Sequence, residues 1–163
     1  MRDIVYGASD GVVTTLAVVA GASGAAFEPR VGLVLGVANL VADGLSMGVS
    51  NYLGLKTEVQ QEGGSVRREK PWRHGTATLL AFVVAGTVPL LSYALPRPAW
   101  LSLFQLALAL SVLALAGVGV VRAPFVGRSR IRSAAEIVAL ALGASLAAWL
   151  VGWGARRFVD GYG

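Results

Sequence analysis

Residues 31–55 read VGLVLGVANLVADGLSMGVSNYLGL, and this stretch decides the class of fold. Its only charged side chain is that of Asp43. A helix of this length, rising about 1.5 Å per residue, is long enough to cross roughly 30 Å of hydrocarbon. Because backbone groups in lipid must find their hydrogen bonds within the segment, the stretch predicts a transmembrane α-helix.

Apolar segments of similar length occupy most of the remaining chain. Five of them lie at about residues 4–26, 31–55, 75–95, 100–121 and 134–154. The breaks contain residues that end helices, such as Pro96-Arg97-Pro98, and the longest break, residues 56–74, is polar. We therefore predict an all-α, polytopic membrane protein in which residues 1–163 form a single domain of five transmembrane helices.

The composition supports a protein that lives in a lipid bilayer. Of the 163 residues 55% are apolar and only 14% are charged, whereas a soluble domain carries roughly a quarter charged residues. Cysteine is absent, which excludes disulfides and zinc–thiolate sites. The net charge of +5 comes from basic residues in the breaks, so it favours contact with anionic lipid over nucleic-acid binding.

Lysine and arginine are distributed unequally between the two sides of the predicted bundle. Four lie on the side away from the N-terminus, and ten lie on the N-terminal side: Arg2, Lys56, Arg67, Arg68, Lys70, Arg73, Arg122, Arg128, Arg130 and Arg132. The positive-inside rule therefore predicts a cytoplasmic N-terminus. A cleavable signal peptide is the alternative for the first segment, but Asp3 and Asp10 interrupt it.

Three acids lie inside the apolar segments, namely Asp10, Asp43 and Glu136. An ionisable group at the centre of a bilayer costs roughly 2.5–3.5 kcal/mol on insertion scales, so it indicates a functional site. Counted from Asp3 and from Leu55, Asp10 is about 10 Å and Asp43 about 18 Å from the N-terminal side of the membrane. Glu136 lies within roughly two turns of that side.

A polar stripe runs along the second helix. Asn39, Asp43 and Met47 follow one another at four-residue spacing on one face, and Asn51 flanks them. Met47, about 12 Å deep, is expected at the level of Asp10. Carboxylate and amide oxygens suit divalent ions, and a thioether shifts the preference towards transition metals, namely ferrous iron with manganese, cobalt or zinc as competitors. We predict a metal site from the following residues: Asp10, Asp43, Met47, Asn39, Asn51 and Glu136.

Glycine pairs at four-residue spacing predict close helix packing. They are Gly7 with Gly11, Gly32 with Gly36, and Gly44 with Gly48. The last pair lies beside Asp43 and Met47, so the predicted metal site is expected on a tightly packed seam. The only histidine, His74, stands at the start of the third segment and is interpreted as an interfacial residue.

Two motifs resemble the vacuolar iron transporter family: residues 2–15, RDIVYGASDGVVTT, and residues 42–53, ADGLSMGVSNYL. Weaker similarity lies at residues 86–90 and around Glu136. The resemblance implies five transmembrane helices, a homodimer, and export of ferrous iron or manganese from the cytosol, with protons as the counter-ion. It also implies that Asp10 and Met47 line the ion path near the dimer seam, and it implies no cofactor besides the transported ion.

The chain departs from the family pattern at three places. Asn51 stands where many members have glutamate, and Asp43 stands where a small residue is common. A long metal-binding insertion between helices two and three is common in the family, whereas here only residues 56–74 fill the gap, with Glu58, Glu62 and Glu69. The small size and the missing insertion favour a prokaryotic plasma membrane.

These observations predict a non-enzymatic divalent-metal transporter in which protonation of Asp43 or Glu136 releases the ion. Two alternatives remain. A non-transporting membrane scaffold or subunit would also be apolar and helical. An intramembrane aspartyl protease would use two aspartates, but the residues around Asp10 and Asp43 do not match such motifs, and five helices are too few.

Overall fold

The computed structural model describes residues 1–61 and 70–162, in which all the long elements are helices. In chain order they are α1 Arg2–Gly24, α2 Pro29–Gln61, α3 Pro71–Leu90, α4 Leu103–Val126 and α5 Arg130–Tyr162. Each of the five is long and apolar enough to cross a membrane, which confirms the predicted class of fold. The predicted cytoplasmic N-terminus stays a prediction, and Glu62 and Glu69 lie outside the described residues.

The helices α2 and α5 are longer than the apolar segments that predicted them. Each has 33 residues and so measures about 50 Å, which exceeds the hydrocarbon thickness. The helices therefore continue beyond the predicted spans, past residue 55 in α2 and past residues 134 and 154 in α5, and the bounds of the spans within the membrane stay predictions. Good helix formers such as Lys56, Glu58 and Gln61 continue the backbone bonds beyond the apolar stretch.

The ends of α3 and α4 follow local capping residues. Pro71 occupies the first turn of α3, and a short 3-10 turn, Leu91–Tyr93, replaces its predicted end at residue 95. At the start of α4, Ser102 and Gln105 form a capping box, so this helix begins later than predicted. The same helix continues past residue 121 to the left-handed Gly127, which has φ 64°.

The central helix of the bundle is α1, which packs against all four others. Its buried Leu16 and Val19 join side chains of α2, α3 and α4 in one apolar cluster, while its Val12 joins Leu115 and Ile137 in a second. Large apolar side chains of the other helices remain on the outer surface, where a membrane protein faces lipid. Packing on several sides therefore fixes where α1 lies in the bundle, and with it the depth of Asp10.

Glycines let the backbones of α1, α2 and α3 approach closely. A Cβ atom at Gly7 would lie 2.5 Å from the Thr78 carbonyl oxygen, and one at Gly11 would collide with the Phe82 carbonyl. A Cβ at Gly48 would lie 3.0 Å from the Gly75 carbonyl oxygen. Close packing at these glycines is thus confirmed. The seam beside Asp43 and Met47 lies within one chain, against α3, so these glycines do not support a dimer contact.

Replacing Gly11 by alanine tests this seam. The new methyl group would meet the backbone of Phe82, which cannot move as a flexible side chain can, so we expect a loss of about 1–3 kcal/mol in stability. The measurement is thermal unfolding in detergent. The control is Gly117→Ala on α4, where a Cβ has open space. Equal melting temperatures for the two variants would contradict the close contact.

Candidate functional site

One hydrogen bond sets how α1 and α2 lie beside each other. Asn51 Nδ2 donates to Asp3 Oδ1 over 3.0 Å. Counted from this pair along the antiparallel helices, Asp10 is about 10 Å deep and Asp43 about 12 Å deep. The two carboxylates therefore share a level, and they interact electrostatically.

Met47 does not lie at the predicted level of Asp10. Only four residues separate it from Asn51, so it is about 6 Å deep, one turn nearer the N-terminal side. The sequence-based depths were counted from Leu55, whereas the residue level with Asp3 is Asn51. Met47 is partly buried and packs against the apolar cluster that contains Leu16 and Phe82.

Polar groups continue along α1 and α2 beyond the two aspartates. Asn39 Nδ2 and Thr15 Oγ1 are buried and have no hydrogen-bond partner among the described residues. By the register that Asp3 and Asn51 set, these two residues also share a level, roughly 6–8 Å deeper than Asp10 and Asp43. The predicted stripe of Asn39, Asp43 and Met47 therefore has polar counterparts on α1, and sequence analysis missed Thr15 among them.

Asn51 belongs to a separate polar network at the N-terminal side. Besides Asp3, its amide donates to Thr78 Oγ1 over 2.6 Å. The Asp3 side chain is buried, and its Oδ2 lies 2.8 Å from His74 Nδ1. The network joins α1, α2 and α3 about 12 Å away from Asp43. His74, predicted as interfacial, thus pairs with a buried carboxylate.

The network explains why asparagine stands at position 51. Asp3 needs a donor, and a glutamate at this position would bring a second carboxylate instead. One feature of the sequence indicated that Asp3 faces the interior of the bundle, as Asp10 does. Its seven-residue spacing from Asp10 puts both acids on the same face of α1.

The last predicted ligand, Glu136, is held by two arginines. Its Oε2 accepts from Arg122 Nη1 and from Arg128 Nη1, each over 3.2 Å. From the sequence, both arginines were expected only to set the membrane orientation. They lie within fourteen residues of Glu136, on the end of α4 and the loop after it.

A cavity of about 650 Å³ connects two of the predicted residues. It lies between the start of α1, the end of α4 and the start of α5. Asp10, Arg122 and Glu136 line it together with apolar side chains such as Val13 and Leu140. The structure therefore places Asp10 and Glu136 on the wall of one cavity, which Asp43 does not line.

The described acids do not cluster in threes. Within residues 1–61 and 70–162, no group of three or more His, Cys, Asp or Glu side chains could hold a metal ion. Asp10 and Asp43 lie at similar depths on neighbouring helices, while Glu136 and Asp3 each bind other side chains.

Comparison with known proteins assigns the family. A model of the VIT family matches residues 1–70 and 60–153, which is most of the chain. The chain belongs to the VIT family. The two matched segments overlap at residues 60–70.

Curated relatives of this VIT-family chain include two plant proteins. Vacuolar iron transporter homolog 3 of Oryza sativa subsp. japonica is 31% identical over 159 residues, which cover 85% of this chain and 64% of that protein. Vacuolar iron transporter 1 of Arabidopsis thaliana is 37% identical over 70 residues, covering 43% and 28%. The chain thus spans less than two thirds of either relative.

The names of these relatives bear on two predictions. They are names of transporters and a transporter homolog, which supports the expectation of a non-enzymatic protein. They refer to a vacuole, so they give no support to the predicted prokaryotic plasma membrane.

Replacing Asn51 by glutamate tests the polar network in this VIT-family chain. We expect the variant to lose about 1–3 kcal/mol of stability, because Asp3 loses a donor in a buried position and gains a like charge. Thermal unfolding in detergent measures the loss. The control is Thr57→Glu, an exposed change six residues along α2. Unchanged stability of Asn51→Glu would show that the hydrogen bond from Asn51 to Asp3 does not contribute to the stability of the fold.

Proposed function

We propose that this chain transports divalent transition-metal ions, ferrous iron or manganese, across its membrane. The observation that carries the proposal is the pair of carboxylates on α1 and α2, Asp10 and Asp43, at one level within the apolar bundle. Two acids at this depth repel each other when both are ionised, so the arrangement favours a cation that both carboxylates can bind. A divalent cation between them offsets both the repulsion and the cost of burial.

The cavity supplies an approach to this pair. It reaches Asp10 from the N-terminal side of the bundle, so an ion there meets a carboxylate before it must lose all its water. Asp43 and Met47 offer oxygen and thioether ligands nearby, which favours a transition metal over magnesium or calcium. Asn39 and Thr15 provide polar groups at the next level inward.

A homodimer would complete the site. The outward face of α2 carries small exposed residues at four-residue spacing, namely Ala38, Ala42, Ser46 and Ser50. Small residues in such a row allow another helix to pack closely. Asp43 lies at the edge of this face, so a second copy placed on it would bring a second Asp43 near the first and remove both from lipid.

Direction and coupling follow from the predicted orientation. With a cytoplasmic N-terminus, the cavity opens to the cytosol, and the chain exports metal from it. A proton taken up by Asp43 as the metal leaves would relieve the repulsion with Asp10 and link transport to a proton gradient.

Flux into liposomes tests the proposal. The purified protein is reconstituted with a trapped metal-sensitive dye, and ferrous iron, manganese or magnesium is added outside. We expect the parent to pass iron and manganese but not magnesium, and we expect Asp10→Asn and Asp43→Asn each to lose at least about tenfold in rate. The control is Asp160→Asn, which removes an exposed carboxylate paired with Arg156 near the end of α5.

Two outcomes would overturn the proposal. Transport by Asp10→Asn and Asp43→Asn at the parental rate would remove these residues from the ion path. A folded, inserted parent that passes no metal ion would favour the non-transporting scaffold.

Cysteine cross-linking tests the dimer. The chain has no native cysteine, so Ser46→Cys introduces a single thiol on the outward face of α2. We expect oxidation in membranes to give a disulfide-linked dimer, because the symmetric contact brings the two Ser46 positions together. The control is Leu113→Cys on the outer face of α4, where the side chain is 71% exposed. Equal cross-linking of both variants would argue against a specific α2 contact.

A further inference from the structure

One cluster of charged side chains contains two cations and one anion. Its members are Arg122, Arg128 and Glu136. Both guanidinium groups donate to the same carboxylate oxygen, Glu136 Oε2, over 3.2 Å. One acid is thus shared by two cations, and the cluster carries one uncompensated positive charge. The side chains are 29% exposed for Arg122, 39% for Glu136 and 57% for Arg128, so Arg122 is the most enclosed of the three.

The cluster belongs to the wall of the cavity that reaches Asp10. Arg122 and Glu136 both line the cavity, whereas Arg128 approaches Glu136 from the loop after α4. A cation in the cavity therefore faces Asp10 and Arg2 on α1 and a net positive charge on the opposite wall. The one carboxylate of that wall already uses an oxygen for two hydrogen bonds.

An ion path works only when the ion binds well enough to enter and weakly enough to leave. A free Glu136 across the cavity from Asp10 would make a second pair of carboxylates near the entrance, and such a pair would hold a divalent cation there. The two arginines weaken such binding, because they donate hydrogen bonds to Glu136 and because their positive charges repel the cation.

We propose that Arg122 is an electrostatic gate of this cavity, which holds Glu136 away from the metal and so keeps cation binding at the entrance weak. The proposal rests on the proposed transport function and deepens it. Arg122 acts through Glu136 and through its own charge, so it is a positioning residue. A merely structural link between α4 and α5 would affect folding, whereas the gate sets the affinity for the ion.

Initial rates at increasing manganese concentration test the gate in liposomes. We expect Arg122→Gln to lower the KM for manganese about fivefold, the change that one nearby charge gives, and to lower the maximal rate because the ion is retained. Arg122→Lys keeps the charge and is expected to resemble the parent. The control is Arg156→Gln, which removes an arginine paired with Asp160 near the other end of α5.

Equilibrium binding separates the gate from the transport function. Manganese binding to the purified protein in detergent is expected to tighten about fivefold in Arg122→Gln. The double variant Arg122→Gln/Glu136→Gln is expected to lose most of this gain, because it removes the carboxylate that Arg122→Gln leaves with Arg128 as its one cationic partner. If the parent passes no metal at all, the transport proposal fails, and the binding measurement still decides whether Arg122 masks Glu136.

A second variant covers the case in which Arg122→Gln does not fold. Glu136→Gln leaves both arginines without their acid, so the cavity becomes more positive and the KM for manganese is expected to rise. An unchanged KM and unchanged binding in folded Arg122→Gln would overturn the gate, and so would a lower KM in Glu136→Gln. Either result would reduce the cluster to a structural contact between α4 and α5.

Discussion

The close backbone contact between α1 and α3 is the constraint on which the rest of the structure depends. Gly11 lies against the Phe82 carbonyl, and a Cβ at Gly86 would lie 2.8 Å from the Gly11 carbonyl oxygen. Lipid tails are as apolar as leucine, so helices in a membrane gain little from burying apolar surface against one another. Close van der Waals packing supplies the association energy instead. Because α1 contacts every other helix, this seam fixes the bundle around it.

The fixed position of α1 gives the acids their different roles. Asp3, at the membrane edge, accepts from Asn51 and lies 2.8 Å from His74 Nδ1, so its carboxylate has polar partners inside the protein. Asp10, two turns deeper, has only another acid, Asp43, as its charged neighbour on α2. A hydrogen-bonded carboxylate stabilises helix contacts, whereas two acids at similar depth without such partners cost free energy, which the proposed metal ion would offset. The same residue type thus serves structure at one depth and suits ion binding at another.

The charges on the N-terminal side divide in the same way. The Asp3 network lies between α1, α2 and α3 and is closed by hydrogen bonds. The Glu136 cluster lies between α4 and α5 and borders a cavity. The first holds three helices in register, and the second places positive charge where an ion would enter. Both groups consist of residues at the ends of apolar segments. From hydropathy alone, charged residues there are expected only to set the orientation in the membrane.

The sequence by itself determined the class of fold and the family. Five apolar segments long enough to span a bilayer leave the backbone only one way to satisfy its hydrogen bonds, and the motifs around Asp10 and Met47 pointed to the VIT family. The four-residue spacing of Asn39, Asp43 and Met47 placed these side chains on one face of α2 without any tertiary information. Close packing at the paired glycines was predictable for the same reason.

Only the tertiary structure decided which groups meet. The level of Asp10 beside Asp43, the hydrogen bond from Asn51 to Asp3 and the two arginines on Glu136 all join different helices. The helix ends at Gln61 and Leu103 likewise depended on capping and on polar helix formers beyond the apolar span. Contacts between helices depend on how far each is shifted and rotated against its neighbour. Packing of small residues sets that shift and rotation, and the length and hydropathy of a segment do not record it.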